Sequence, residues 1–104
     1  KWLKIANVGI QEIKWEQNSY LPINFIEDYS KFLLQPNDIV LAMTRPILNN
    51  KLKIAKINDN DLPALLNQRV GKFIFDSKVY SEFMYYLFQH IDFVKILMLK
   101  ILCL

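Results

Sequence analysis

The spacing of apolar and polar positions changes period near residue 77, which separates a β-patterned body from a helical C-terminal part. Residues 39 to 43, Ile-Val-Leu-Ala-Met, form an unbroken apolar run of strand length behind the turn chemistry of Pro36-Asn37-Asp38, as expected for a strand buried on both faces. "KLKIAKI" (51 to 57) alternates, which turns Leu52, Ile54 and Ile57 inward and Lys51, Lys53 and Lys56 outward. After Pro63, "ALLNQRVGKFIFD" (64 to 76) predicts a strand pair or one bent strand, with Gly71 at a bulge or a point of close backbone approach. From Ser77 onward Val79, Phe83, Tyr86, Leu87 and His90 or Ile91 recur at helical spacing, so a helix is expected to cover the sheet.

The N-terminal part is less regular. "WLKIANVGI" (2 to 10) has the β-branched and aromatic content of a strand ending near Gly9, and "EIKW" (12 to 15) supplies a second short run. Gln17, Asn18, Ser19 and Pro22 mark residues 16 to 24 as a loop. "NFIEDYSKFLL" (24 to 34) predicts a short helix capped by Asn24, with Glu27 completing an approximate capping box and Pro36 stopping it. The final "FVKILMLKILCL" (93 to 104) is apolar apart from two lysines, and falls short of the about 20 residues that span a bilayer. The fold class expected is α+β: a mainly antiparallel, twisted β-sheet unit with C-terminal helices packed on it.

Composition narrows the function classes. With 53% hydrophobic and 22% charged residues, the chain has the balance of a globular domain, which argues against disorder. Its single Cys103 excludes an internal disulfide, and with the lone His90 it leaves no cysteine-histidine zinc cluster, so a reducing cytoplasmic setting is expected. The sequence holds no Gly-rich phosphate loop, no nucleophile elbow and no H-E-x-x-H. His90 lies among aromatics and is read as a packing or surface residue. Glu27-Asp28 and the Asp59/Asp61 pair are read as solvated acids in loops.

Net charge is +3, and its distribution says more than its size. Arg45, Lys51, Lys53 and Lys56 fall in residues 44 to 58 without an acid among them. Arg45 offers a planar fork suited to guanine, and Asn49, Asn50 and Gln68 offer amides suited to adenine. Lys51, Lys53 and Lys56 suit phosphates. The plainer reading is a solvated hairpin whose lysines guard strand edges, and from spacing alone it is the stronger one. Trp2, Trp15, Tyr20, Phe25, Tyr29 and Phe32 are suited to stacking on unpaired bases, with core packing again the plainer role.

The order of segments adds a further reading. "WLKIANV", "IKW", "LLQPNDIVLAMTRPI", "KIAKI", "PALLNQRVGKF" and "SEFMYYLFQH" follow one another as in the target recognition domain of the specificity subunit of type I restriction-modification systems, which the chain resembles over residues 2 to 94. The turn, strand and T-R-P block and "LLNQRVG" carry most of the resemblance, and Asn37 stands where the family often has Gly. The resemblance implies a non-catalytic reader of double-stranded DNA that has no cofactor of its own and no membrane association. It would direct a methyltransferase subunit, which uses S-adenosylmethionine, and a restriction/translocase subunit to a split DNA site.

On that reading the DNA-binding candidates are Thr44, Arg45, Asn49, Asn50, Lys51 and Lys53, with Gln68 and Arg69 on a neighbouring edge. Discrimination by the loops 16 to 24 and 58 to 62 is the alternative, and for Arg69 an ion pair with Asp38 or Asp76 competes with DNA contact. Residues 2 to 94 would form a partial recognition domain. Residues 95 to 104, lacking an amphipathic period, would be an atypical apolar tail, a truncated or frame-shifted start of a spacer helix. Two other functions remain open: the recognition segment of a single-chain restriction-methylation enzyme, and a protein-interaction scaffold that docks through residues 79 to 104.

Overall fold

The structure, a computed structural model, describes residues 1–15 and 19–102; residues 16 to 18 of the expected 16–24 loop and the last two residues of the expected tail lie outside the described residues. In chain order the elements are β1 (Trp2–Leu3), α1 (Phe25–Asp28), β2 (Ile39–Ala42), β3 (Ile47–Leu48), β4 (Lys51–Leu52), β5 (Ile54–Lys56), β6 (Leu65–Leu66), β7 (Val70–Lys72), α2 (Ser81–Gln89) and α3 (Ile91–Leu102). They form the α+β fold that the polarity pattern predicts.

The centre is a three-stranded antiparallel sheet in the order β5-β2-β7. Val40 lies opposite Ala55 on one side and Lys72 on the other. Because successive side chains alternate, Ile39 and Leu41 join Ile54, Tyr85 and Val94 on one face, while Val40 and Ala42 join Leu3, Val8, Leu34 and Ala64 on the other. The continuous apolar run is thus a strand with core on both sides, as expected. The turn before it uses Asn37 in the left-handed region, with φ at 70°. That conformation suits Gly and is tolerated by Asn, which accounts for Asn37 at this position.

The sequence expectation fails in the N-terminal part, for reasons that local hydrogen bonding supplies. The strand expected to reach Gly9 stops at Leu3, and Ile5–Asn7 form one 3-10 turn. Asn7, 1% exposed, accepts from the Lys4 N–H at 2.9 Å and donates to the Lys14 carbonyl at 2.7 Å, so its amide replaces a strand ladder. β1 instead pairs in parallel with β6, Trp2 opposite Leu65. The helix expected over 24 to 34 is one turn, α1, followed by a 3-10 turn at Ser30–Phe32. Asn24 does not cap it; its amide donates to Asp28 Oδ2 at 3.0 Å.

Asp61 also departs from its expected role as a solvated acid. It is 8% exposed and accepts from Trp15 Nε1 at 2.7 Å and from the Asn58 N–H at 2.8 Å, tying the 12–15 segment to the loop after β5. Within 64 to 76, β6 and β7 do not pair with each other but belong to different sheets. Gly71 sits in register opposite Leu41 instead of forming a bulge. The close approach there comes from a side chain, since a Cβ on Gly71 would lie 2.7 Å from Met43 Sδ.

Both long helices lie against the Ile39 and Ile54 face, as the sheet-covering helix requires. The phase of α2 differs from the expected one. Tyr85 is buried in the cluster of Ile39, Ile54 and Val94 and Phe88 stacks on Phe73 and Phe75, whereas Phe83 and Tyr86 are 65% and 66% exposed. Burial, and then the neighbouring Tyr86, raise the Tyr85 hydroxyl above its ordinary pKa, with a backbone hydrogen bond from Lys56 opposing them. In α3, Phe93, Val94, Leu97 and Met98 turn onto the same core. His90 is exposed at the α2–α3 junction, where Nδ1 accepts from the Asp92 N–H at 3.2 Å. No described helix is long and apolar enough to cross a membrane.

Candidate nucleic-acid interface

Antiparallel pairing brings the end of β2 beside the beginnings of β5 and β7. The Ala42 N–H donates to the Lys53 carbonyl at 3.1 Å, and the Met43 N–H donates to the Arg69 carbonyl at 2.9 Å. The corner that follows, Thr44-Arg45, is exposed, and the chain returns to it where the Lys53 N–H meets the Pro46 carbonyl at 2.6 Å. Backbone bonds therefore hold Lys53 and Arg69 on either side of the Thr44-Arg45 corner. Gln68 is exposed in the turn that leads into β7, beside Asn67, whose Oδ1 accepts from the Arg69 N–H at 3.0 Å.

Asn49, Asn50 and Lys51 occupy the tip of the β3–β4 hairpin, which leaves the sheet at this same end. Leu48 and Lys51 face each other across a two-residue turn in which Asn49 and Asn50 have φ of 53° and 63°. Hairpin twist selects two such residues, and Asn accepts that backbone, so local geometry alone explains both asparagines. No such explanation covers Arg45. Its φ is 50°, and its side chain has no means of relieving the steric cost of the left-handed region, about 1 kcal/mol. A strained residue at an exposed corner is the kind of position where function overrides stability.

All eight candidates thus fall at one end of the molecule's central sheet or on the hairpin extending from it. Lys56 does not join them. It lies opposite Ile39 at the far end of β5, where its Nζ is 3.5 Å from Glu82 and 5.7 Å from the centre of the Tyr85 ring. That far end also holds the Lys72–Asp38 pair at 3.8 Å. The expected alternative for Arg69 was an ion pair with Asp38 or Asp76. Asp38 faces Lys72, and among the described residues no salt bridge engages Arg45, Lys51, Lys53 or Arg69. One end of the sheet has its charges paired and the other presents cations.

The sequence reading missed a second feature beside this edge. A groove of about 680 Å³ runs between α1 and the β1–β6 pair, and Asn67 and Gln68 are among its lining residues, with Trp2, Phe25, Tyr29 and Phe32. The aromatic residues were visible in the sequence, but their convergence depends on the parallel β1–β6 pairing, which brings Trp2 next to Leu65. Among the described residues no three His, Cys, Asp or Glu side chains come together as a metal site.

These features define an α+β module with a sheet end whose cations make no salt bridge among the described residues. No protein-family model matches the chain. It is 47% identical over 96 residues to the type I restriction enzyme MjaVIII specificity subunit of Methanocaldococcus jannaschii, an alignment covering 91% of this chain and 23% of that protein. It is 42% identical over 71 residues to the type I restriction enzyme EcoAI specificity subunit of Escherichia coli, covering 68% of this chain and 12% of that protein. The chain is homologous to type I restriction enzyme specificity subunits, and spans less than a quarter of the length of these two relatives.

Proposed function

We propose that this chain is a sequence-reading DNA module of a type I restriction-modification specificity subunit, and that it makes and breaks no covalent bond itself. The observation that carries the proposal is the convergence of Thr44, Arg45, Lys53, Gln68 and Arg69 at one sheet end, with cations that no described acid neutralises. Arg45 and the amides of Asn49, Asn50 and Gln68 are assigned to base edges, Lys51, Lys53 and Arg69 to phosphates, and Thr44 to either. The methyltransferase and restriction/translocase subunits of such a system would supply catalysis. An exposed apolar face on α2, formed by Phe83, Tyr86 and Leu87, supports contact with a protein subunit.

The test is a gel shift of the chain on duplex DNA across a salt series. Three cationic phosphate contacts predict a log–log slope near −2.7, so affinity should fall roughly 40-fold between 50 and 200 mM salt. Absence of binding at low salt, or binding indifferent to salt, would exclude DNA recognition and favour the protein scaffold.

A further inference from the structure

We infer that the groove between α1 and the β1–β6 pair holds a single unstacked nucleobase of the bound DNA; the inference rests on the DNA reading above and extends it to a second site. Four aromatic side chains, Trp2, Phe25, Tyr29 and Phe32, line this groove over an aliphatic floor from β6. Phe25 and Tyr29 meet edge to face with centroids 5.0 Å apart, and Tyr29 and Phe32 remain 47% and 41% exposed. Planar rings left accessible in this way offer stacking surface to a planar guest.

Among the described residues no charged side chain lines the groove, which suits a neutral ring better than a phosphate or a charged peptide. The polar groups it does have are amides. Asn67 uses its Oδ1 on the Arg69 N–H, which leaves its Nδ2 as a donor, and Gln68 carries both a donor and an acceptor. That pairing matches the mixed donor and acceptor edge of a base. Charge complementarity favours a nucleic-acid occupant over an apolar peptide. The amide rim at Gln68 runs directly into Arg69, and Arg69 is held by its carbonyl to the corner bearing Arg45. A base seated on the rings would therefore have its flanking phosphates beside two unpaired guanidinium groups. Among the described residues lining the groove there is no acid to oppose them.

The experiment compares two duplexes of the same random sequence, one continuous and one with a single unpaired nucleotide, in fluorescence anisotropy with the full chain. The bulged duplex should bind roughly tenfold more tightly, the scale of one base–aromatic stack. Tyr29→Ala and Phe32→Ala should each erase that preference while leaving affinity for the continuous duplex unchanged, and both side chains are exposed enough for the fold to survive. Gln68→Ala, at a residue shared with the sheet-end reading, should reduce discrimination among the four unpaired bases. Arg45→Ala should weaken both duplexes alike. Equal binding of the two duplexes by the unmodified chain, or equal losses on both from the aromatic variants, would overturn the base pocket and leave the sheet-end reading standing. If neither duplex binds at low salt, the sheet-end reading itself fails.

Discussion

At the residue scale, the conflict between local conformation and side chain at Arg45 is the most informative. A positive φ favours Gly, so Arg45→Gly should relieve strain and stabilise the fold by roughly 1 kcal/mol in chemical denaturation. The same change removes the guanidinium and should weaken binding to duplex DNA by roughly 1–3 kcal/mol, with relaxed preference at one base position if Arg45 reads a base. A variant that is more stable and binds as before would show that Arg45 has no part in recognition. Uniform weakening across sequences would move it to the phosphates. Nothing in the one-dimensional pattern discloses this strain, since T-R-P reads as ordinary turn chemistry. Asn49 and Asn50 are the reverse case. The sequence marks both as turn residues, and the structure shows the turn to be sufficient reason for them.

At the scale of elements, legibility followed the strength of the local signal. β2 was readable because an unbroken apolar run after a turn has few other uses, and the alternation of residues 51 to 57 correctly separated inward from outward side chains. Helix α2 was readable as a helix but not in its phase. Nearly every position from Val79 to Phe88 other than Ser81 and Glu82 is apolar or aromatic, so the wheel offers several equivalent stripes. Contact with the sheet decided among them, choosing Tyr85 and Phe88. Truncation separates the two phases. Tyr85→Ala should cost roughly 3 kcal/mol of unfolding free energy, because it empties a buried site against Ile54 and Val94. Phe83→Ala should stay within about 0.5 kcal/mol, as expected of an exposed side chain. A larger cost for Phe83→Ala than for Tyr85→Ala in thermal or urea unfolding would show that the stripe read from the sequence is the packed one. Asn7 and Asp61 were illegible because their partners, the Lys14 carbonyl and the Trp15 indole, are set by tertiary folding.

At the scale of the molecule, the order of β-rich body and helical end could be read directly, while the β1–β6 pairing could not, because its strands lie some sixty residues apart and pair over two residues each. That pairing builds both the second core face and the aromatic groove. The larger consequence is polarity along the sheet: cations at the end with Arg45, Lys53 and Arg69 make no salt bridge among the described residues, and those at the other end, Lys56 and Lys72, face Glu82 and Asp38. Net charge alone would give all lysines equal weight in DNA binding, whereas this arrangement does not. Replacing Lys51 or Lys53 by Gln should each reduce the magnitude of the salt slope by about 1, since each removes one phosphate contact. Lys56→Gln makes the same change in net charge at the opposite end and should leave the slope unaltered. Measured side by side on one duplex, three equal reductions would mean that the chain binds DNA through overall charge, and the sheet end would lose its claim to be the interface. A reduction confined to Lys51 and Lys53 would place the phosphates at the end where the strained arginine stands.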